Sequence, residues 1–177
     1  MIIDQKIFLF INQFAGQNFY IDTLFYFFSS IVPYLFILFL VFFLLRNIKS
    51  YGWLTAEALF AGFFARYALV ELVRHLVPRA RPFLVLEEAK LLLPYKETMS
   101  FPSGHTAFLF GISTIVYFYN KKVGAFLYAI SAMGAMARIF MGMHWPADVF
   151  VGALVGVFAG IVISEISNFL KKSLTKK

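Results

Sequence analysis

The stretch Thr23–Leu45, TLFYFFSSIVPYLFILFLVFFLL, decides the fold class, because it runs for 23 residues without a charge. As a helix rising about 1.5 Å per residue it is long enough to cross a hydrocarbon core of about 30 Å. A helix on the surface of a soluble protein needs a polar stripe, and this one has none. The rest of the chain agrees. It is 61% hydrophobic and 20% aromatic, with a mean hydropathy of +0.79, well outside soluble composition. Pro33, inside the span, is tolerated where neighbouring helices satisfy the carbonyl it frees.

Outward from this run, four further apolar segments follow: Trp53–Val77, Thr106–Tyr119, Val123–Ala137 and Val149–Ser164. The expected fold is therefore an all-α integral-membrane helical bundle of about five transmembrane helices, forming a single domain over residues 1–177. Gly152, Gly156 and Gly160 recur every fourth residue, a stripe expected to pack against another helix of the same chain. Ile3, Ile7, Phe8, Ile11 and Phe14 have roughly helical spacing, so the N-terminus is either a short interfacial helix or a frayed end. Asp4 and Lys6 break the pattern of a cleavable signal. In the long 78–102 connection, LVLEEAKLLLPY (84–95) reads as a short amphipathic helix on the membrane surface.

Five spans put the chain ends on opposite sides. Arg46, Lys49, Lys121, Lys122, Lys171, Lys172, Lys176 and Lys177 share one face, 8 in all, against Lys6, Arg74, Arg79, Arg81, Lys90, Lys96 and Arg138, 7 in all. If Arg74, Arg81 and Arg138 belong to a site, the count becomes 8 against 4, which makes the lysine-rich face and the C-terminus cytoplasmic. The net charge of +7 is split across both faces, so anionic lipid explains it better than nucleic acid does. Without cysteine there is no disulfide, thiolate chemistry or Cys-based metal site.

On the other face gather RHLVPRARP (74–82), PSGH (102–105) and RIFMGMHWPAD (138–148). Three arginines at one place need an anion, and their fork geometry suits phosphate. Ser103 is a plausible N-cap, and Gly104 lets the free N–H groups of the following turn approach a ligand. His144 and Asp148 lie four apart around Pro146, so the carboxylate reaches one ring nitrogen and leaves the other as a nucleophile. His105, from another helix, stands to protonate the departing oxygen. Glu71, one turn before Arg74, is placed to orient it. For Glu57 and Arg66 the expectation is an internal ion pair that holds helices together. His75 and Arg79 fit no role.

These motifs resemble the type 2 phosphatidic acid phosphatase superfamily, whose signature is Lys-x6-Arg-Pro, Pro-Ser-Gly-His and Ser-Arg-x5-His-x3-Asp. Here they stand as Arg74 with Arg81–Pro82, Pro102–Ser103–Gly104–His105, and Arg138 with His144 and Asp148. Arg74 replaces the usual Lys, and Ala137 the usual Ser. The resemblance implies a metal-independent, cofactor-free phosphatase working through a phosphohistidine. In it His144 is the nucleophile, Asp148 its orienting partner and His105 the acid and later the base. Arg74, Arg81, Ser103, Gly104 and Arg138 then bind the phosphate. The partners implied are a lipid phosphate substrate and the bilayer; no feature of the sequence sets an oligomeric state. Compact size and an external site fit small bacterial undecaprenyl diphosphate phosphatases of the inner (plasma) membrane. Phosphatidylglycerol phosphate, phosphatidic acid and lipid A 1-phosphate are alternative substrates. A lipid-phosphate-binding protein or transporter is the non-enzymatic alternative.

Overall fold

The computed structural model describes residues 2–94 and 99–174. Tyr95, Lys96, Lys176 and Lys177, used above for the surface segment and the orientation, lie outside them. The helices are α1 (Ile2–Asn12), α2 (Phe19–Tyr26), α3 (Val32–Arg46), α4 (Ile48–Phe64), α5 (Val70–Leu76), α6 (Pro82–Val85), α7 (Gly104–Tyr119), α8 (Lys121–Phe140) and α9 (Pro146–Leu174). A π-helical turn, Phe27–Ile31, joins α2 to α3, and a second, Ala65–Leu69, joins α4 to α5. The bundle thus has five rods: α2–α3, α4–α5, α7, α8 and α9.

Local chemistry sets the turns between them. Asn47 closes α3 and its side chain caps α4, while Asn120 closes α7 and caps α8, so each pair of rods reverses direction at a single asparagine. The helices Phe19–Arg46, Lys121–Phe140 and Pro146–Ser173 are long and apolar enough to cross a membrane on their own account. The α4–α5 rod is interrupted by ionisable residues, and α7 has only 16 residues, about 24 Å of helix. Neither has to face lipid all round, because α7 is the centre of the bundle and packs against α4, α8 and α9.

The α7–α9 approach depends on the glycine stripe. A Cβ on Gly156 would stand 2.4 Å from the Ala107 carbonyl oxygen, and one on Gly152 would stand 2.6 Å from that of Ser103. Only hydrogen at these positions lets the two backbones come so close. The stripe is intramolecular, as expected, and it holds the start of α9 against the start of α7.

The N-terminus is a helix, with Ile3, Ile7 and Phe14 exposed as an interfacial face requires. Its inner side does more than lie on a surface. Phe8 is buried against Trp145, ring centroids 5.3 Å apart, and Asp4 accepts the Ala147 N–H at 2.9 Å in the first turn of α9.

The short helix of the 78–102 connection is α6, which ends before most of the 84–95 stretch begins. From Leu86 to Pro94 the chain is turn and irregular. The cause is competition for backbone groups. The Asn12 side chain donates to the Lys90 carbonyl at 2.9 Å and accepts from the Lys90 N–H at 2.8 Å, and the Leu92 N–H is taken by the Met141 carbonyl. A helix here would lose these bonds.

Glu57 and Arg66 do not pair. Glu57 accepts from Lys171 Nζ at 3.0 Å and Tyr119 Oη at 2.8 Å, and also from the Ser167 hydroxyl. It ties α9 to α4 and α7 at the end of the bundle away from the conserved-spacing motifs, while Arg66 sits nearer their end.

Candidate active site

Three connections converge at one end of the bundle. The α8–α9 loop is shaped by Gly142, whose φ of 83° is in the left-handed region and whose missing Cβ would lie 2.3 Å from the Lys90 carbonyl oxygen. The Arg138 carbonyl then accepts the N–H of Met143 at 3.1 Å and of His144 at 3.2 Å. This fold-back turns the His144 ring inward, where it is fully buried.

The two nitrogens of His144 are in different surroundings. Nε2 accepts from Arg81 Nη1 at 3.1 Å. Nδ1 faces Asp148 Oδ2 at a long 3.4 Å, and the Ser100 backbone accepts a hydrogen bond from the ring. Since Arg81 can only donate, Nε2 carries the lone pair and Nδ1 the proton. Burial, followed by the Arg81, Arg138 and Arg74 guanidinium groups, holds the His144 pKa well below the ordinary 6.5. The ring is neutral at pH 7.

Asp148 is fully buried and saturated with donors. Oδ1 accepts from Arg79 Nη1 at 2.9 Å, and Oδ2 accepts the Trp145 N–H at 2.9 Å and the Ser100 hydroxyl. Its own carbonyl accepts the Ser103 N–H at 2.9 Å, stitching the α7 start to the first turn of α9. Ser103 caps α7: its hydroxyl oxygen accepts from the Thr106 backbone at 3.5 Å and the Thr106 hydroxyl at 3.0 Å.

The arginines are held one by one. Arg81 is fully buried, with Nη1 donating to the Met143 carbonyl at 2.6 Å and Nη2 to that of Met99 at 2.8 Å. Arg74 pairs with Glu71 at 2.8 Å and reaches toward the Pro102 carbonyl at 3.5 Å, the orientation expected of Glu71. Arg138 donates to the Ser29 hydroxyl at 3.1 Å. Ala137 has no hydroxyl to offer, and the one beside Arg138 comes from the first rod. His105 is partly open and lines two cavities. One, of about 360 Å³, also borders Arg138 and Met143; the other, of about 190 Å³, also borders Arg66.

All eight residues expected at the site, Arg74, Arg81, Ser103, Gly104, His105, Arg138, His144 and Asp148, occur at this end of the bundle. The PAP2 superfamily profile matches residues 55–172. The chain belongs to the PAP2 superfamily. The undecaprenyl-diphosphatase BcrC of Bacillus subtilis is 30% identical over 175 residues, covering 96% of this chain and 86% of that one. The bacitracin transport permease protein BcrC of Bacillus licheniformis is 28% identical, covering 88% of this chain and 76% of that one. Among solved structures, Aquifex aeolicus LpxE superposes with a TM-score of 0.77 at 28% identity, covering 92% of this chain and 95% of that one. This PAP2 chain is a membrane lipid phosphatase.

Sequence reasoning missed three members of the site. Arg79 bridges Asp148 to Asp4, at 2.5 Å from the latter, and lies 5.0 Å over the Trp145 ring. Ser100 is fully buried on Asp148. Asp4 joins from the far end of the sequence. A charged residue two before Arg81 was the available signal for Arg79; nothing in the local pattern marks Ser100 or Asp4. His75 stays outside, its ring bonded to the Glu71 carbonyl at 2.7 Å.

Proposed function

We propose that this PAP2 enzyme removes the terminal phosphate of a lipid diphosphate, converting undecaprenyl diphosphate to undecaprenyl phosphate, through a phosphohistidine on His144. The observation that carries the chemistry is the fixed tautomer of His144: a lone pair on Nε2 facing the Arg81 guanidinium, with Nδ1–H directed at Asp148. Arg74, Arg81 and Arg138, with Ser103 and Gly104 at the α7 N-terminus, bind the phosphate oxygens. Nε2 attacks phosphorus and forms the N–P bond while the P–O bond to the lipid breaks. His105 gives its proton to the departing oxygen. The charge that develops on the imidazole is matched by Asp148, which Arg79 and Ser100 hold in place. Water, deprotonated by His105, then attacks phosphorus, the N–P bond breaks, and phosphate leaves with His144 restored.

The name of the Bacillus subtilis relative supports undecaprenyl diphosphate as substrate. The site-bearing end is read as external, and the C-terminus as cytoplasmic. The charge count supports this: with Arg79 also in the site, that end keeps only Lys6, Lys90 and Lys96 as basic anchors. The Bacillus licheniformis relative is named a transport permease. A transporter would use the arginines but has no need of a histidine whose proton is held on one nitrogen and whose lone pair on the other faces them.

The decisive experiment measures phosphate release by purified enzyme in detergent with EDTA, from undecaprenyl diphosphate, phosphatidylglycerol phosphate, phosphatidic acid and lipid A 1-phosphate. Release without added metal, fastest from the first and abolished in His144→Ala, is the expected result. Among the described residues no group of three His, Asp or Glu side chains is arranged to hold a metal, so dependence on added magnesium would sink the mechanism. Labelling of a cysteine placed at exposed Glu88 by an impermeant reagent from outside the cell tests the orientation.

A further inference from the structure

The second cavity at His105 contains a charge that the chemistry above does not use. Arg66 lines it, together with His105, with Tyr34 and Ile37 of α3, and with Phe63 and Tyr67 of the neighbouring rod. Tyr34, Phe63 and Tyr67 are all exposed on the outside of the bundle, so the cavity opens sideways between two rods toward the region that lipid fills. Among the described residues no carboxylate lies within ion-pair distance of Arg66; its guanidinium stands over the Tyr67 ring, 5.3 Å from the centroid. A guanidinium in an apolar wall without a counter-ion is costly unless a ligand supplies the charge.

Its position relative to the reacting phosphate is set by helix geometry. Arg66 and Arg74 are eight residues apart, which in a regular α-helix turns them roughly 80° away from a common face. Arg66 is inside the wider π turn Ala65–Leu69, which takes up much of that rotation. Both side chains therefore pack on Gly104: a Cβ there would lie 3.5 Å from Arg66 Cγ and 3.8 Å from Arg74 Nη2. Arg74 belongs to the phosphate cluster, and Arg66 stands beside it on the His105 side.

In an in-line displacement the leaving oxygen departs opposite the nucleophile. With His144 attacking, the group that oxygen carries leaves past His105, and of the two cavities His105 lines this is the one whose cation, Arg66, is outside the phosphate cluster. The cavity thus combines His105, the Arg66 charge and, exposed on the outside of the bundle, Tyr34, Phe63 and Tyr67. A lipid diphosphate presents matching parts: a bridging oxygen, a second phosphate and a hydrocarbon.

Resting on the phosphohistidine reading, we propose that Arg66 forms a second anion subsite that binds the phosphate retained by the departing lipid, and so selects lipid diphosphates over lipid monophosphates. The guanidinium holds that phosphate as the P–O bond to the bridging oxygen breaks, when charge builds on the leaving group. Monoesters put uncharged groups at this place and gain nothing from it.

The test compares wild type, Arg66→Gln and Arg66→Lys on farnesyl diphosphate and farnesyl monophosphate in detergent, with inorganic diphosphate and orthophosphate as competing inhibitors. Arg66→Gln is expected to lower kcat/KM on the diphosphate by about 10- to 100-fold, the effect of one lost charge-assisted hydrogen bond. It should leave the monophosphate within about twofold, and weaken inhibition by inorganic diphosphate but not by orthophosphate. Arg66→Lys should recover part of the loss. Equal losses on both substrates, or an unchanged preference in Arg66→Gln, would overturn the subsite while leaving the phosphatase reading intact. A wild type that releases phosphate from neither lipid would overturn the reading on which it rests.

Discussion

Replacing Gly152 by Ala tests whether the α7–α9 approach sets the geometry of the site. The added Cβ would stand 2.6 Å from the Ser103 carbonyl oxygen, 3.2 Å from Thr106 Cβ and 3.3 Å from Ser103 Cβ. The nearest of these is backbone and has no rotamer through which to yield. To restore ordinary van der Waals separation, α9 must move from α7 by about half an ångström to one ångström. Overpacking of this kind costs about 1–3 kcal/mol, of which the better helix propensity of Ala returns up to about 1 kcal/mol. The larger effect falls on catalysis. The shift separates Ser103–His105 at the start of α7 from Asp148 in the first turn of α9 and His144 just before it, and misplacement by about 1 Å costs about a hundredfold in rate. Phosphate release in detergent, measured with thermal melting, should show kcat/KM lowered about 10- to 100-fold and a net stability loss of about 1–2 kcal/mol. Gly52→Ala is the control, since its Cβ meets only Ile48 and Leu44 side-chain atoms at 3.7 and 3.9 Å, and it should be neutral or slightly stabilising. Wild-type kinetics in Gly152→Ala would refute the claim that this contact positions the reacting groups.

Three other outcomes follow from the same contacts. Arg79→Gln removes the charged partner of Asp148 Oδ1, so kcat should fall about tenfold or more while KM changes little, with Arg79→Lys intermediate; a change in KM alone would mean that Arg79 binds substrate instead. Glu57→Ala takes a shared acceptor from Lys171, Tyr119 and Ser167 and should cost about 2 kcal/mol in thermal stability. It should leave kcat/KM untouched, because the cluster is at the opposite end of the bundle from His144. For pH, the folded pKa of His144 is depressed, so below about 6.5 the unfolded chain takes up a proton that the folded one refuses. The His144 contribution to stability is therefore full above that pH and declines by up to about 1.4 kcal/mol per pH unit below it, until the folded pKa is reached. Melting temperatures from pH 7 to 5 should fall less steeply in His144→Asn than in wild type.

How much of this was legible in the sequence depends on the range of the contact. Arg138, His144 and Asp148 fall within one loop and its two helix ends, and Ser103, Gly104 and His105 within one helix start. Their spacing already marked them as candidates. Glu71 with Arg74 is one turn of one helix and was equally readable. The glycine stripe named its own role, since small residues every fourth position leave a groove for another backbone. The amphipathic pattern of residues 84–95 misled, because periodicity reports only what the side chains prefer. There the backbone's hydrogen bonds go to Asn12 and Met141 instead.

By itself the sequence determined that this chain is a bundle of membrane-crossing helices with three family motifs, since length, hydropathy and helical spacing are local properties. Tertiary structure decided how those motifs work as one site. Asp148 is held by Arg79 and Ser100, from positions 69 and 48 residues away, and Arg79 is tied to Asp4 across 75. Arg66 turned from an expected ion-pair partner of Glu57 into a charge beside His105. Such assignments depend on which side chains meet after the helices pack, and packing in a bundle is fixed by close approach and buried charge over long sequence separations, to which no local pattern responds.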